Sequence, residues 1–233
     1  MNRRLNAILE KIPDGKGTID VGTDHGYLPA ALAKNGYSGN LIASDLREGP
    51  LQAARRTAEA EDLSGRIRFL LCDGLSQCDP DAVDTIVIAG LGGDAICRIL
   101  DQAEWTMDGR YTILLQPMTK AEVLRYWLSN NEYEIIGEDL VEDAGKIYAV
   151  LTVRFGRSCT LTDAELFTGR LCFLNGHPLF PRFLDEQIAR LDKTLSGMQA
   201  STTAYRDQKW EMLCAILKTM REMRNDENST GDS

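Results

Sequence analysis

The chain has 233 residues, 43% of them hydrophobic, which is enough to core one full α/β domain and a smaller appendage. A formal net charge of −9 argues against a protein that coats nucleic acid non-specifically. No apolar run approaches the roughly 18 residues of a membrane span, and MNRRLNAILEKIPDGKG at the N-terminus lacks the uncharged apolar core of a signal peptide, so a cytoplasmic protein without membrane attachment is expected.

Six cysteines, at 72, 78, 97, 159, 172 and 214, form no C-x-x-C pair and have no histidine at zinc spacing. They read as reduced thiols, and no metal is expected. The charge is uneven. Residues 1–16 and 178–224 each carry +2 and residues 225–233 carry −3, which leaves −10 for residues 17–177. The two basic segments could grip a polyanion; ordinary surface variation is the alternative explanation of the imbalance.

In chain order, short β-branched or apolar runs occupy 17–22, 39–45, 66–71, 84–89 and 111–116. Stretches with helical spacing lie between them, at 27–35, 48–62, 92–104 and 119–130. Strands alternating with helices predict right-handed βαβ units and a parallel sheet covered on both faces. The pattern then changes. Residues 132–155 hold two strand-like runs joined by a short turn at 142–145, so this pair must be antiparallel. An all-parallel dinucleotide-binding sheet has no such hairpin. The expected fold is therefore α/β, a Rossmann-like class I methyltransferase sheet of parallel strands with a C-terminal antiparallel hairpin strand.

The first strand-turn-helix, IDVGTDHGYLP at 19–29, points the same way. A dinucleotide fingerprint brings glycine backbone onto a pyrophosphate. Here the glycines are Gly22 and Gly26, with Asp24 where a middle glycine would stand. A carboxylate there repels a phosphate. It suits S-adenosylmethionine, whose ammonium, sulfonium and ribose hydroxyls tolerate or favour nearby carboxylates. The competing structural reading has Gly22 and Gly26 shaping a turn and Asp24 capping the next helix.

Asp20, Asp45 and Asp73 close three successive strand runs, and such ends converge on the crevice where these sheets bind ligands. Asp45 stands where an acid takes ribose hydroxyls, and Asp73 where a carboxylate could accept from an adenine amino group. Gly90, Gly92 and Gly93, in IVIAGLGGDAI, allow close approach of a ligand or, alternatively, close helix–strand packing. Gln116-Pro117 ends the fifth run with an amide and a fixed bend.

Taken together, RRLNAILEKIP (3–13), IDVGTDHGYLP (19–29), IASDLREGPLQAA (42–54), DGL (73–75), IVIAGLGG (86–93), LLQP (114–117) and KIYAVLTV (146–153) resemble the bacterial tRNA adenine-22 N1-methyltransferase family. The likeness covers the first 155 or so residues in order. The family usually has Met where this chain has Leu91, and the last third is similar in character only. The resemblance implies methyl transfer from S-adenosylmethionine to N1 of a D-arm adenine in tRNA. It implies cofactor contacts from Asp20, Gly22, Gly26, Asp45, Leu46, Asp73, Gly74, Ala89 and Gly90. It places Asp24, His25, Tyr27 and the Gly90–Gly93 turn around the transferred methyl; the expected substrate contacts are Gly92, Gly93, Gln116 and Pro117. Asp24 is expected to accept from the base edge, with His25 as orienter or base-edge partner, a purely structural histidine being the alternative; Tyr27, Tyr111 or Tyr148 could stack on the base, although core or cofactor packing suits each of them individually.

In the last third, Phe180, Leu184, Ile188, Leu191, Leu195 and Met198 recur at helical spacing, as do Trp210, Leu213, Leu217 and Met220. SGMQASTT at 196–203 separates the two runs, giving a helical hairpin with coiled-coil-like spacing. Arg190, Lys193, Arg206, Lys209, Lys218, Arg221 and Arg224 make it a candidate grip on the tRNA body, Lys209, Lys218 and Arg221 above all; a packing or dimerising role is the alternative. The expected domains are 1–157, catalytic; 158–224, helical; and 225–233, a disordered tail. The expected assembly is a monomer or weak dimer. Two other functions stay open: a class I methyltransferase acting on a small molecule or protein, and a nucleotide-binding scaffold without transfer activity.

Overall fold

The computed structural model describes residues 2–157, 160–198 and the helix backbone of 204–230, with side chains over 208–226. Two compact units divide it, Met1–Thr160 and Leu161–Ser233.

The first unit opens with α1 (Arg3–Leu9), whose N-cap Asn2 accepts from the Leu5 amide at 2.9 Å. Then come β1 (Gly17–Val21), α2 (Tyr27–Lys34), β2 (Asn40–Asp45), α3 (Glu48–Ala60), β3 (Ile67–Leu71), β4 (Thr85–Gly92), α4 (Gly93–Asp101), β5 (Thr112–Thr119), α5 (Ala121–Asn130), β6 (Tyr133–Asp143) and β7 (Lys146–Phe155). The seven strands form one sheet in the order β3-β2-β1-β4-β5-β7-β6. The first five are parallel; β7 is antiparallel to both β5 and β6.

β1 is buried along its whole length, as expected of a central strand covered on both faces. The two residues between β6 and β7, Ala144 and Gly145, have φ of 50° and 77°. Two consecutive positive φ values match the twist of a two-residue hairpin and confine the turn to this link. Behind the hairpin, Arg125 of α5 and Glu138 of β6 form a fully buried ion pair, Nε to Oε1 at 3.0 Å. It locks α5 to the edge of the sheet.

Sequence periodicity gave no sign of α1. Seven residues are too short for a helical signal. Tertiary contacts hold the helix instead: Ile8 is fully buried, Arg4 pairs with Asp143 at 3.2 Å, and Lys11 pairs with Asp139 at 2.8 Å. β4 also runs further than the expected 84–89. It continues through the glycine-rich stretch to Gly92, with register shifts between Ala89, Leu91 and Gly92.

The second unit begins with α6 (Asp163–Thr168), capped reciprocally by Thr162 and Glu165, and α7 (Leu171–Leu174). The hairpin helices are α8 (Phe180–Met198) and α9 (Ala204–Thr230). Leu191 and Leu195 of α8 meet Leu213, Ile216, Leu217 and Met220 of α9, with Ala164 of α6. Charged pairs flank this seam: Arg221 Nη2 donates to both Asp192 oxygens, at 2.8 and 3.0 Å, and Arg224 Nε reaches Asp185 at 2.9 Å. α9 is longer than its apolar repeat predicts and continues to Thr230, past the start of the expected tail at 225. Cys159, the linker residues 199–203, the Arg206 side chain and the last three residues lie outside the described residues. The five described cysteines are free thiols. No described helix is long and apolar enough to cross a membrane.

Candidate active site

The strand order reverses direction between β1 and β4, and a cleft opens there at the C-terminal ends of the strands. Its volume is about 550 Å³. Asp20 from β1, Asp45 from β2, Asp73 beyond β3, and Ala89 and Gly90 from β4 all line it. The β1–α2 turn supplies Gly22, Thr23, Asp24, His25 and Tyr27.

This turn is fixed by its backbone. The amides of Gly22 and Thr23 both donate to the Ser44 carbonyl of β2, at 2.9 and 3.0 Å, and the Gly26 amide donates to the Thr23 carbonyl at 2.9 Å. Gly22 and Gly26 have φ of 73° and 68°, the left-handed region that favours glycine. Asp24, between them, also has a positive φ of 52°. Aspartate is among the few residues that tolerate this conformation, and such strain concentrates at functional sites.

The carboxylates occupy two environments. Asp20 and Asp45 are buried. Burial pushes the Asp20 carboxyl up to about 6; the Thr23 hydroxyl opposes the shift and Asp45 adds to it. The one described hydrogen bond to the Asp20 carboxylate comes from Thr23 Oγ1, at 2.7 Å. Asp45 accepts from the Arg47 amide at 2.9 Å. Asp24, in contrast, is exposed, and its Oδ2 lies 3.7 Å from His25 Nε2. The His25 and Tyr27 rings stack beside it, with centroids 5.3 Å apart and planes 18° apart. A buried anionic floor and an exposed aromatic pair therefore share one cleft. The floor fits a ligand with cationic and hydroxyl groups, and a Cβ added at Gly90 would point into open space.

Several expected site residues stand elsewhere. Gly26 does not line the cleft; a Cβ there would come within 2.9 Å of Ala54 Cβ, so the residue serves the packing of α2 on α3. Gly93 is buried, and a Cβ there would lie 2.2 Å from the Lys120 carbonyl oxygen. Gly92 is the N-cap of α4 against Thr119. These two glycines thus follow the packing alternative. Gln116 and Pro117 are buried outside the cleft wall. Gln116 accepts from Arg4 Nη1 at 2.8 Å and donates to the Pro117 carbonyl at 2.9 Å, so both ends of its amide are engaged within the protein. Tyr111 is fully buried and Tyr148 lies under the Arg4 guanidinium, 5.0 Å from ring centroid to Cζ, so of the three tyrosines Tyr27 is the exposed one at the mouth. Asp24 does not cap α2, whose N-cap is Gly26 with no side-chain hydrogen bond.

Residues absent from the sequence expectation also line the cleft: Asn2, Arg4 and Leu5 of the α1 region, Thr23, Arg47 and Arg98. The basic N-terminal segment was the available signal for Arg4. Nothing in strand periodicity marks the other two arginines.

The sheet order, the antiparallel β7 and the acid-lined cleft define a class I methyltransferase. A methyltransferase-domain family model matches residues 1–151. The chain is 35% identical to the tRNA (adenine(22)-N(1))-methyltransferase of Bacillus subtilis over 96% of both chains. The chain belongs to this tRNA (adenine(22)-N(1))-methyltransferase family. The crystal structure of the Bacillus subtilis tRNA methyltransferase TrmK superposes with a TM-score of 0.84 at 28% identity, covering 96% of this chain and 98% of that one. A Streptococcus pneumoniae putative tRNA methyltransferase in complex with S-adenosyl-L-methionine superposes with a TM-score of 0.77 at 31% identity, covering 92% and 98%.

Proposed function

We propose that the protein transfers a methyl group from S-adenosylmethionine to N1 of adenine 22 in the D-arm of tRNA. The observation that carries this reading is the two-part cleft, with the buried acids Asp20 and Asp45 below and exposed Asp24, His25 and Tyr27 above. Kinship along the whole chain favours tRNA over the small-molecule or protein alternative.

S-Adenosylmethionine supplies an electrophilic methyl group on a sulfonium when bound. Asp20 offers a carboxylate to its cationic portion, and Asp45 and Asp73 offer acceptors to hydroxyl and amino groups. Adenine N1 is neutral near pH 7 and has an in-plane lone pair, so no residue has to remove a proton before attack. N1 lies on the Watson–Crick edge, so the base must be unpaired or extruded to reach the cleft. The His25–Tyr27 stack offers the extruded base an aromatic surface. Methylation leaves a cationic base, and Asp24 stabilises that charge by accepting from the base edge. Alignment supplies the remainder of the acceleration.

The protein is read as cytoplasmic, and as a monomer or weak dimer. Lys209, Lys218 and Arg221 of α9 are assigned to the tRNA body. Arg47 and Arg98, which have no ion-pair partner among the described residues, line the cleft and are assigned to the phosphates of the target nucleotide.

The test incubates the protein with labelled S-adenosylmethionine and tRNA lacking modification, then digests the RNA to nucleosides. N1-methyladenosine is expected, together with a reverse-transcription stop at position 22, because the methyl blocks the pairing edge. Label on protein, or on another nucleoside, refutes the assignment. A second prediction concerns Asp45→Ala, which removes the proposed ribose acceptor. Calorimetry should show cofactor binding weakened by about 1.5–3 kcal/mol, the scale of a hydrogen bond to a charged group. Unchanged affinity in a folded variant would remove Asp45 from the site.

A further inference from the structure

The turn between β1 and α2 contains one buried hydroxyl that the methyl-transfer scheme does not use. Thr23 is 7% exposed and Asp20 is 6% exposed. The Thr23 hydroxyl is 2.7 Å from Asp20 Oδ2, and no other described group donates to that carboxylate. The Thr23 backbone is held at both ends, its amide on the Ser44 carbonyl and its own carbonyl under the Gly26 amide. The hydroxyl therefore belongs to a rigid frame. We infer that Thr23 is a positioning residue of the cofactor site, whose hydroxyl fixes one oxygen of Asp20 and leaves the other to take a cationic ligand group. This inference rests on the reading of Asp20 as a cofactor-binding acid.

The physical reason is the setting of Asp20. Desolvation favours its neutral form, and a neutral carboxylic acid is a poor partner for an ammonium or sulfonium. An accepted hydrogen bond favours the ionised form. Thr23 is the described donor, while Asp45 and Asp73 at neighbouring strand ends and Asp24 in the turn add negative charge to the same cleft. Arg4 of α1, Arg47 ahead of α3 and Arg98 of α4 also line this cleft and add positive charge, and His25 of the turn lines it too, yet none of them donates to Asp20. The hydroxyl thus shifts Asp20 toward its ionised form, against the burial that favours the neutral acid. Binding of a cation then displaces whatever proton Asp20 still holds, so affinity falls as pH drops through the Asp20 midpoint.

Thr23→Val keeps the shape and removes the donor; Thr23→Ser restores it. In the cofactor-free protein, the carboxyl carbon resonance of Asp20, which separates its titration from that of His25, should move its midpoint up by about one pH unit in Thr23→Val and hardly at all in Thr23→Ser. Calorimetry with S-adenosylmethionine should then show Thr23→Val weaker by about tenfold at pH 5.5 and by less than about twofold at pH 8.5, with Thr23→Ser close to the parent at both. In an Asp20→Asn background, adding Thr23→Val should change affinity by less than about twofold. If valine does not pack, Thr23→Ala is read in the same way. An unmoved Asp20 midpoint with no loss of affinity at either pH, or a loss of equal size in the Asp20→Asn background, overturns the inference and makes Thr23 a packing residue. Failure of Asp20→Asn to alter affinity overturns it differently, by removing Asp20 itself from the cofactor site.

Discussion

Asp24→Asn is expected to lower kcat by about tenfold to a thousandfold while the affinities for tRNA and S-adenosylmethionine hold. Asparagine keeps the size and the acceptor carbonyl but removes the charge. In the free protein Asp24 is largely solvated, its side chain 71% exposed, and its contact with His25 at 3.7 Å is loose. A charge in water does little for a ground state. It matters once RNA covers the mouth and water leaves, because the interaction then strengthens as the base acquires positive charge. Selective loss of kcat is the signature of a group that acts in the transition state. The positive φ of Asp24 gives an internal control. Asparagine also tolerates the left-handed region, so the backbone of the turn should persist. Near-normal turnover at saturating cofactor and tRNA would return Asp24 to a turn-forming role.

The sheet was legible in the sequence because its signals are local. β1, β2 and β3 begin and end within a residue or so of their apolar runs, and each delivers its acid to the cleft: Asp20, Asp45 and Asp73. The hairpin was legible because no helix fits between β6 and β7. What was not legible depends on partners remote in the chain. α1 is recorded in Asp139 and Asp143, more than 120 residues away. The glycines of the β4 end look identical in sequence, yet they divide in three dimensions. Gly90 faces open space, whereas Gly93 lies against the Lys120 carbonyl. Gln116 is similar: a strand-end amide suits a ligand, but Arg4 had already engaged it. Each of these assignments needed the position of a second backbone segment, which periodicity does not carry.

Reversal of Lys209, Lys218 and Arg221 to Glu is expected to weaken tRNA binding by about a hundredfold and to flatten its salt dependence by about two to three logarithmic units, with cofactor affinity unchanged. Residues 17–177 carry −10, so affinity for a polyanion must come from local basic surface. The structure refines how these cations can act. Arg221 reaches both Asp192 oxygens through Nη2 alone, and Lys218 lies 3.9 Å from Glu222. Both pairs are exposed, and exposed ion pairs are worth only about 0–1 kcal/mol, so a phosphate can displace the acid cheaply. The displaced carboxylate stays nearby, however, and repels the phosphate. A prediction of opposite sign follows. Asp192→Asn should strengthen tRNA binding if Arg221 meets a phosphate, because its competitor is gone. The same change should slightly lower the melting temperature, because a tie between α8 and α9 is lost. Arg221→Glu sets two carboxylates together, so Arg221→Gln is the variant that separates lost RNA contact from a strained hairpin. If the triple reversal binds and methylates tRNA like the parent across a salt series, and Asp192→Asn leaves affinity unmoved, none of the three is the RNA contact and Arg221 serves the α8–α9 seam. The hairpin is then a packing or dimerising element.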